Sequence, residues 1–317
     1  MSSRSVAAVV LSYDGRHLLE IALPSLAAQT LDDVHVLVVD NGSSDGTAEW
    51  LAAEWPDVEV VALPVNVGVT AALNAGLKAA AGHEFVALLN NDLELDPNCL
   101  AELVGAMRAY PRAGSAGAKL LDFHERDVID GTGDFLRWTG IATRRGHGQR
   151  DAGRYDTPEA VFGACGGAAV YRGAALEDVG LLDAAFFAFS EDVDWALRAQ
   201  LAGWDCRYVP TAVVYHMGSA TLGRGLSDFT AYHLWRNAIW MIAKDFPPSA
   251  LIRRSPFIAA GFAMNLAAAL KGRKLGVWAR AMRDAARGLP GALRRRGTVQ
   301  RKRRRSLAEL DTVISRF

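Results

Sequence analysis

Thiols are scarce in this chain of 317 residues: Cys99, Cys165 and Cys206 are its three cysteines, widely separated and without C-x-x-C spacing. An odd, scattered set excludes a disulfide framework and a zinc knuckle, and it fits a reducing, cytoplasmic compartment. Long apolar runs are missing as well. The most apolar stretch, Ile258 to Leu270, is about thirteen residues long and flanked by Arg253, Arg254 and Lys271. That is short of the roughly twenty residues a bilayer span requires, so it reads as a buried or interfacial helix. No signal peptide is expected, because the strand-like Val6 to Leu11 runs straight into Tyr13-Asp14-Gly15. No G-x-G-x-x-G follows that first strand, which removes the dinucleotide fingerprint and with it a nicotinamide enzyme.

An excess of one charge is absent only in the sum. Residues 1 to 270 carry 20 Lys and Arg against 32 Asp and Glu, whereas residues 271 to 317 carry 15 against 3. An acidic body and a basic tail imply different partners for the two. Hydrophobic residues make up 50% of the chain, enough for one large α/β domain with an appendage.

What is present is an alternation of strands and helices. Val6 to Ser12, His35 to Asp40, Val58 to Leu63 and Phe85 to Leu89 are short apolar runs, and helical patterns follow the first three. This predicts right-handed βαβ crossovers and a mostly parallel central sheet flanked by helices. Asp14, Asp40 and Asp92 then arrive at one sheet edge, where open α/β sheets bind ligands. The fourth run ends in Asn90-Asn91-Asp92. Such hard oxygen ligands suit Mg²⁺ or Mn²⁺, above all when a substrate diphosphate completes the shell, although a strand-end Asx turn explains the same triplet.

Further on, a helix is expected from Pro97 to Ala109, a strand from Gly114 to Leu121 and a loop-rich insertion from 122 to 158. Ala160 to Tyr171 is periodic again, with glycines suited to close approach of a ligand. Glu191-Asp192-Val193-Asp194 opens a helix through Trp195, and its dipole alone is reason enough for acids there. A strand from Tyr208 to Tyr215 ends at His216, and a helix from Asp228 to Phe246 stops at Pro247-Pro248. The expected organisation is a domain over 1–225, with halves 1–121 and 122–225, and a helical basic region over 226–317.

Five ordered motifs now stand together: Val9-Val10-Leu11-Ser12-Tyr13, Val38 to Thr47 with Asp40-Asn41-Gly42, Asn66-Val67-Gly68 with Asn74 and Gly76, Leu88 to Asp92, and Ser190 to Trp195. In this order they resemble the family 2 glycosyltransferases of GT-A fold, in the rhamnosyltransferase-like and galactofuranosyltransferase-like branch, from about Val6 to Met217. The resemblance implies an inverting, metal-dependent transferase that uses a nucleotide-diphosphate sugar (dTDP-, UDP- or GDP-linked) to extend a glycan or lipid-linked acceptor of the cell envelope. It implies that Ser12, Tyr13, Asp14, Asp40, Asn66 and Gly68 hold the nucleotide, and that Asn90, Asn91 and Asp92 face the diphosphate. The metal would rest on Asp92, His216 and Asn90. Asn90 departs from the D-x-D form, and its neutral carbonyl implies weaker intrinsic metal affinity.

By the same resemblance Asp192 is the general base, while Gly166, Gly167, Glu191, Asp194 and Trp195 line the acceptor pocket. For Trp195 core packing is an equal alternative. A catalytically inactive GT-A module that binds a glycan is the rival reading, motivated by Asn90. A nucleotidyltransferase is disfavoured, since Ser12 to Gly15 offers no basic, glycine-rich triphosphate loop. The clusters Arg294-Arg295-Arg296 and Arg301 to Arg305 suit an anionic membrane surface on the inner face of the cell membrane better than nucleic acid, with a solvated end as the alternative.

Overall fold

The computed structural model describes residues 5–218 and 226–315. Four β-strands, β1 (Val6–Ser12), β2 (Val34–Asp40), β3 (Glu59–Ala62) and β4 (Phe85–Asn90), alternate with helices α1 (Arg16–Ala27), α2 (Thr47–Glu54) and α3 (Val69–Ala79). Next come β5 (Leu93–Leu95), α4 (Cys99–Ala109), β6 (Ala113–Asp122), β7 (Ile129–Gly131), β8 (Asp134–Arg137), β9 (Ala142–Arg144) and β10 (Glu159–Val161). The acceptor side continues with β11 (Ala168–Arg172), α5 (Gly173–Val179), α6 (Glu191–Leu201) and β12 (Asp205–His216). Helices α7 (Asp228–Asp245), α8 (Pro248–Arg253), α9 (Ser255–Lys271), α10 (Leu275–Arg301) and α11 (Leu307–Leu310) follow, before the short strand β13 (Ile314–Ser315).

The main sheet runs β10-β12-β6-β11-β4-β1-β2-β3, with β5 and β7 added at β12 and β6. Its first four strands are parallel, as βαβ crossovers require. Beyond β4 it is mixed: β11 lies antiparallel between β4 and β6, and β6 pairs parallel with β12. Helices cover both faces. Alternate residues of β1 divide between two cores, Val6, Ala8 and Val10 packing with α1 and α4, and Ala7 and Val9 with α3 and α5. Each such buried aliphatic side chain contributes about 1.5–3 kcal/mol, which is why this stretch reads as a continuous apolar run.

The insertion folds into more structure than its composition predicts. β8 and β9 form an antiparallel hairpin, and β13 joins it in parallel at Leu136 and Arg137. Trp138, fully buried at its turn, donates its indole N–H to Asp311 at 2.8 Å. Residues distant in the chain thus complete the hairpin.

The basic tail differs from expectation. It is mostly the helix α10, packed along α7, and several of its cations face the acidic body. Arg295 pairs with Asp183 at 3.0 Å, Arg304 with Asp178 at 2.7 Å, and Arg305 with Asp205. Arg296 donates to the Ala243 carbonyl at 2.7 Å. Body and tail therefore partner each other in part, and the charge asymmetry of the sequence is in part an internal seam.

Candidate active site

Register brings the predicted donor residues together. Ser12 stands opposite Asp40 and Leu11 opposite Asn90, so β1, β2 and β4 end at one edge. The loops leaving that edge are stitched to one another. Asp14, with φ 46°, accepts from the Ser44 N–H at 2.7 Å while its own N–H donates to Ser43 Oγ at 2.9 Å. Buried Asp40 accepts from the Ser43 N–H at 3.0 Å. Asn41 donates to Asn66 Oδ1 at 3.1 Å and accepts from the Val67 N–H at 3.0 Å, and Asn66 accepts from the Gly68 N–H at 2.9 Å. Gly42 sits at φ +79°, where a Cβ would lie 2.6 Å from the Val65 backbone; no other residue fits that turn. Tyr13 stays exposed at the rim. Asn91 donates to Ser12 Oγ at 3.1 Å.

At the end of β4 the antiparallel pairing of β5 with β12 sets His216 opposite Leu93, one residue past Asp92. Asp92 Oδ2 lies 3.4 Å from His216 Nε2, and Asp92 Oδ1 is buried without a partner among the described residues. The other ring nitrogen, Nδ1, is 2.8 Å from Asp130 Oδ2, and Asp130 is in turn paired with Arg144 at 2.6 Å. Burial opposes a charged His216 ring, but the hydrogen bonds to Asp130 and Asp92 outweigh it and push its pKa up to about 9. Asp130 is held below the usual carboxylate range: its own burial works upward, and His216 and Arg144 overcome it. No group of three or more His, Cys, Asp or Glu forms a closed metal cage among the described residues. The orphaned Asp92 oxygen beside an imidazole nitrogen nevertheless fits a divalent ion whose remaining ligands come from a diphosphate.

Asp192 occupies the first turn of α6, half-buried. Its carboxylate accepts from the Gly166 N–H at 3.1 Å and the Val193 N–H at 2.8 Å. Gly166 has to be glycine, because a Cβ there would sit 2.5 Å from Asp192 Oδ2. Burial raises the pKa of Asp192, with the two N–H groups and Arg144 pulling the other way. Burial, then the charge of Asp192, raises Glu191 as well, and the same two causes push Asp134 up to about 8. Gly167 fronts the other half of the site: a Cβ on it would lie 3.7 Å from Asn90 Nδ2 and 4.0 Å from His216 Nε2. Its carbonyl accepts from the Asn90 N–H at 2.9 Å.

Two predicted acceptor residues are not in the site. Trp195 is 1% exposed, packs edge-on against Tyr171 and donates its indole N–H to the Gly180 carbonyl at 2.9 Å. Asp194 is fully buried, bound to Arg198 at 2.8 Å and Lys244 at 2.6 Å. Asp194, two residues beyond Asp192, is rotated about 200° from it and so turns into the core, whereas Trp195, within about 60° of Asp192 on the helix, is held inward by the Tyr171 ring and the Gly180 carbonyl.

Other residues escaped the sequence reading. Asp130, Asp134 and Arg144 belong to the insertion, where no periodicity marked them. The segment before Asp192 is strained, with Phe187, Phe189 and Ser190 at φ 66°, 64° and 66°. Asn237 of α7 holds it, its amide nitrogen 2.9 and 2.8 Å from the carbonyls of Ala188 and Phe189, while Arg236 donates to Phe186 at 2.7 Å. The available signal was the adjacent polar pair Arg236-Asn237 between the tryptophans of α7, on a face that buries both.

The family model for glycosyl transferase family 2 matches residues 7–180. The chain belongs to that family. This glycosyltransferase is 30% identical over 250 residues to the N-acetylglucosaminyl-diphospho-decaprenol L-rhamnosyltransferase of Mycobacterium tuberculosis, covering 71% of this chain and 80% of the relative. It is 24% identical to the poly-β-1,6-N-acetyl-D-glucosamine synthase of Staphylococcus epidermidis, where it spans 49% of the relative and 67% of itself. Among solved structures it resembles S. aureus TarS 1-349 in complex with UDP-GlcNAc, with TM-score 0.59, 17% identity and coverage of 94% of this chain and 90% of the other. Mannosyltransferase PcManGT from Pyrobaculum calidifontis, in complex with GDP-Man and Mn²⁺, gives TM-score 0.56 at 20% identity, covering 95% and 85%. These likenesses establish the GT-A fold for the glycosyltransferase, with its helical C-terminal region present.

Proposed function

We propose that this glycosyltransferase moves a sugar, with inversion, from a nucleotide-diphosphate donor to a hydroxyl of a glycan or lipid-linked acceptor in cell-envelope polysaccharide synthesis. One observation carries the reading. The adjacent residues Gly166 and Gly167 face the Asp192 carboxylate on one side and the Asn90 and His216 side chains on the other. The proposed base and the proposed diphosphate side thereby meet at one pair of glycines, as displacement at one carbon would need.

Asp40, Asn66, Gly68 and the Ser12 to Asp14 turn form the nucleotide pocket, with Tyr13 free to stack on the base. Asp92 and His216, with Asn90 beside them, would hold a divalent cation, which would supply Lewis-acid neutralisation of the departing diphosphate. Asp192 takes the proton of the acceptor hydroxyl as that oxygen bonds to the anomeric carbon; the bond from that carbon to the phosphate oxygen breaks, and its electron pair leaves with the diphosphate. Glu191 and Asp134, with raised pKa values, are protonated near neutral pH and offer no carboxylate nucleophile. A single-displacement, inverting course is consistent with that. Glu191 remains available to hydrogen-bond an acceptor hydroxyl.

The test is a panel of dTDP-, UDP- and GDP-sugars with Mn²⁺, read as thermal stabilisation. One donor at a hundred times its Kd adds about 2.7 kcal/mol of stability, and Asp92→Ala is expected to remove that gain. A panel in which no donor stabilises the protein would sink the proposal. Asp130→Asn tests the support of His216. Taking away the charge behind a metal-binding imidazole weakens metal affinity by about 10–100-fold, so the Mn²⁺ concentration for half-maximal donor stabilisation should rise by that factor while donor affinity at saturating Mn²⁺ stays close to wild type.

A further inference from the structure

Helix α9 is apolar almost all round, yet Gly261 and Ala269 are its two buried residues. Its protein-facing seam, Ile258, Gly261, Asn265 and Ala269, sits at helical spacing, and Gly261 rests on the turn of the β8–β9 hairpin, where a Cβ would be 2.1 Å from the Thr139 carbonyl oxygen. The other side faces outward. Ile252 at the end of α8 is 76% exposed, Phe262 37%, Met264 54%, Leu270 57% and Leu275 47%. Exposed apolar side chains gathered on α9 and on the residues that flank it, the end of α8 and the first residue of α10, mark an interaction site.

The charge around this face narrows the partner. From Phe246 to Arg283 there is no Asp or Glu, but there are Arg253, Arg254, Lys271, Arg273, Lys274, Arg280 and Arg283. Arg253, Lys271 and Arg273, exposed at the two ends of α9, make no ion pair among the described residues. An apolar helix face bracketed by unpaired cations complements an anionic bilayer, whose interface takes apolar side chains a few ångströms deep and attracts lysine and arginine at headgroup level. No described helix is long and apolar enough to cross a membrane, so contact would be from the side.

We propose that the outward face of α8 and α9, from Ile252 to Leu275, docks on an anionic lipid surface. This moves the membrane contact away from the tail arginines, several of which are engaged with the body, and onto an element that braces the hairpin carrying Asp134 and Arg144. The proposal takes its purpose from the lipid-linked acceptor proposed above, but its binding physics is independent, so the two fail separately.

The experiment is co-sedimentation of the full chain with phosphatidylglycerol/phosphatidylcholine vesicles and with phosphatidylcholine alone, alongside the variant Ile252→Asp/Phe262→Asp/Leu270→Asp. Wild type should bind the anionic vesicles, more weakly in 0.5 M NaCl, and the variant should bind at least about tenfold less. Donor-dependent thermal stabilisation of the variant should equal that of wild type, which shows that it is folded; the milder Ile252→Ser/Leu270→Ser substitution serves if it is not. Wild type that ignores anionic vesicles overturns the proposal, as does a variant that binds as well as wild type. A wild-type dimer that the variant converts to monomer assigns the face to a second copy and overturns it too. Loss of donor stabilisation in wild type would count against the proposed function and leave the docking result standing.

Discussion

Replacing Asp192 by Asn is expected to lower sugar transfer by about 10²–10⁴-fold, the usual worth of a positioned general base, while donor binding in the presence of Mn²⁺ is unchanged. The amide keeps the shape and still accepts from the Gly166 N–H but takes up no proton. Since burial raises the Asp192 pKa, the acid limb of kcat/KM for the wild type should lie above the ordinary aspartate value of about 3.9, with activity rising as pH increases through it. Linkage gives a second readout. A carboxylate whose pKa is raised on folding favours the folded state at low pH and costs stability once it ionises, so stability falls as pH climbs through the raised value. Asp192→Asn removes that cost and should raise the melting temperature near neutral pH. An inactive variant that is also less stable would point to a structural role for Asp192 instead.

Lys244→Met is expected to cost about 3–5 kcal/mol of stability, the penalty for leaving buried charges without their partner. Lys244 is 2% exposed, with its ammonium 2.6 Å from Asp194, 2.9 Å from Asp183 and 3.6 Å from Asp245. Burial and the neighbouring Asp194 drive the Asp245 pKa well up. Burial also opposes ionisation of Asp194, but Lys244 and Arg198 overcome it and hold its pKa far below the usual range. Arg198 and Lys244 hold Asp194, and Lys244 and Arg295 hold Asp183, so deleting Lys244 leaves the fully buried Asp194 with Arg198 as its one remaining cation among the described residues. Equilibrium denaturation measures the loss; a midpoint equal to wild type would show that the cluster relaxes by taking up a proton or water.

The donor half was the more legible part. Strands β1 and β4 and the second half of β2 are buried on both faces, so their apolar runs stand out, and a parallel sheet brings the ends of β1 to β4 to one edge. Asp40, Asn90 and Asp92 follow from that arithmetic alone. The acceptor half was less legible because it is assembled from residues without a local pattern. Asp130 and Asp134 lie in a stretch dominated by Gly, Arg and Asp, and their roles depend on His216, Asp192 and Cys165, which come from elsewhere. In α6 the error over Asp194 was one of phase. Acids close in sequence need not share a face, since about 200° of rotation separates Asp194 from Asp192; Trp195, within about 60° of Asp192, is claimed by the core through Tyr171 and the Gly180 carbonyl. The tail misled through summed charge, which says how many cations there are and nothing of which ones an internal acid has already met.

The pairing of β13 with β8 sets a timetable for synthesis. Donor strands β1 to β4 lie within ninety residues of one another and can assemble while the ribosome is still extending the chain, since domains fold from the N-terminal side at the pace of translation. The hairpin that supplies Asp134 and Arg144 gains its third strand from Ile314 and Ser315, nearly 180 positions later, and loop closure over such a span is slow. The sheet edge that carries Asp40 and Asp92 would therefore take shape before the hairpin that carries Asp134 and Arg144.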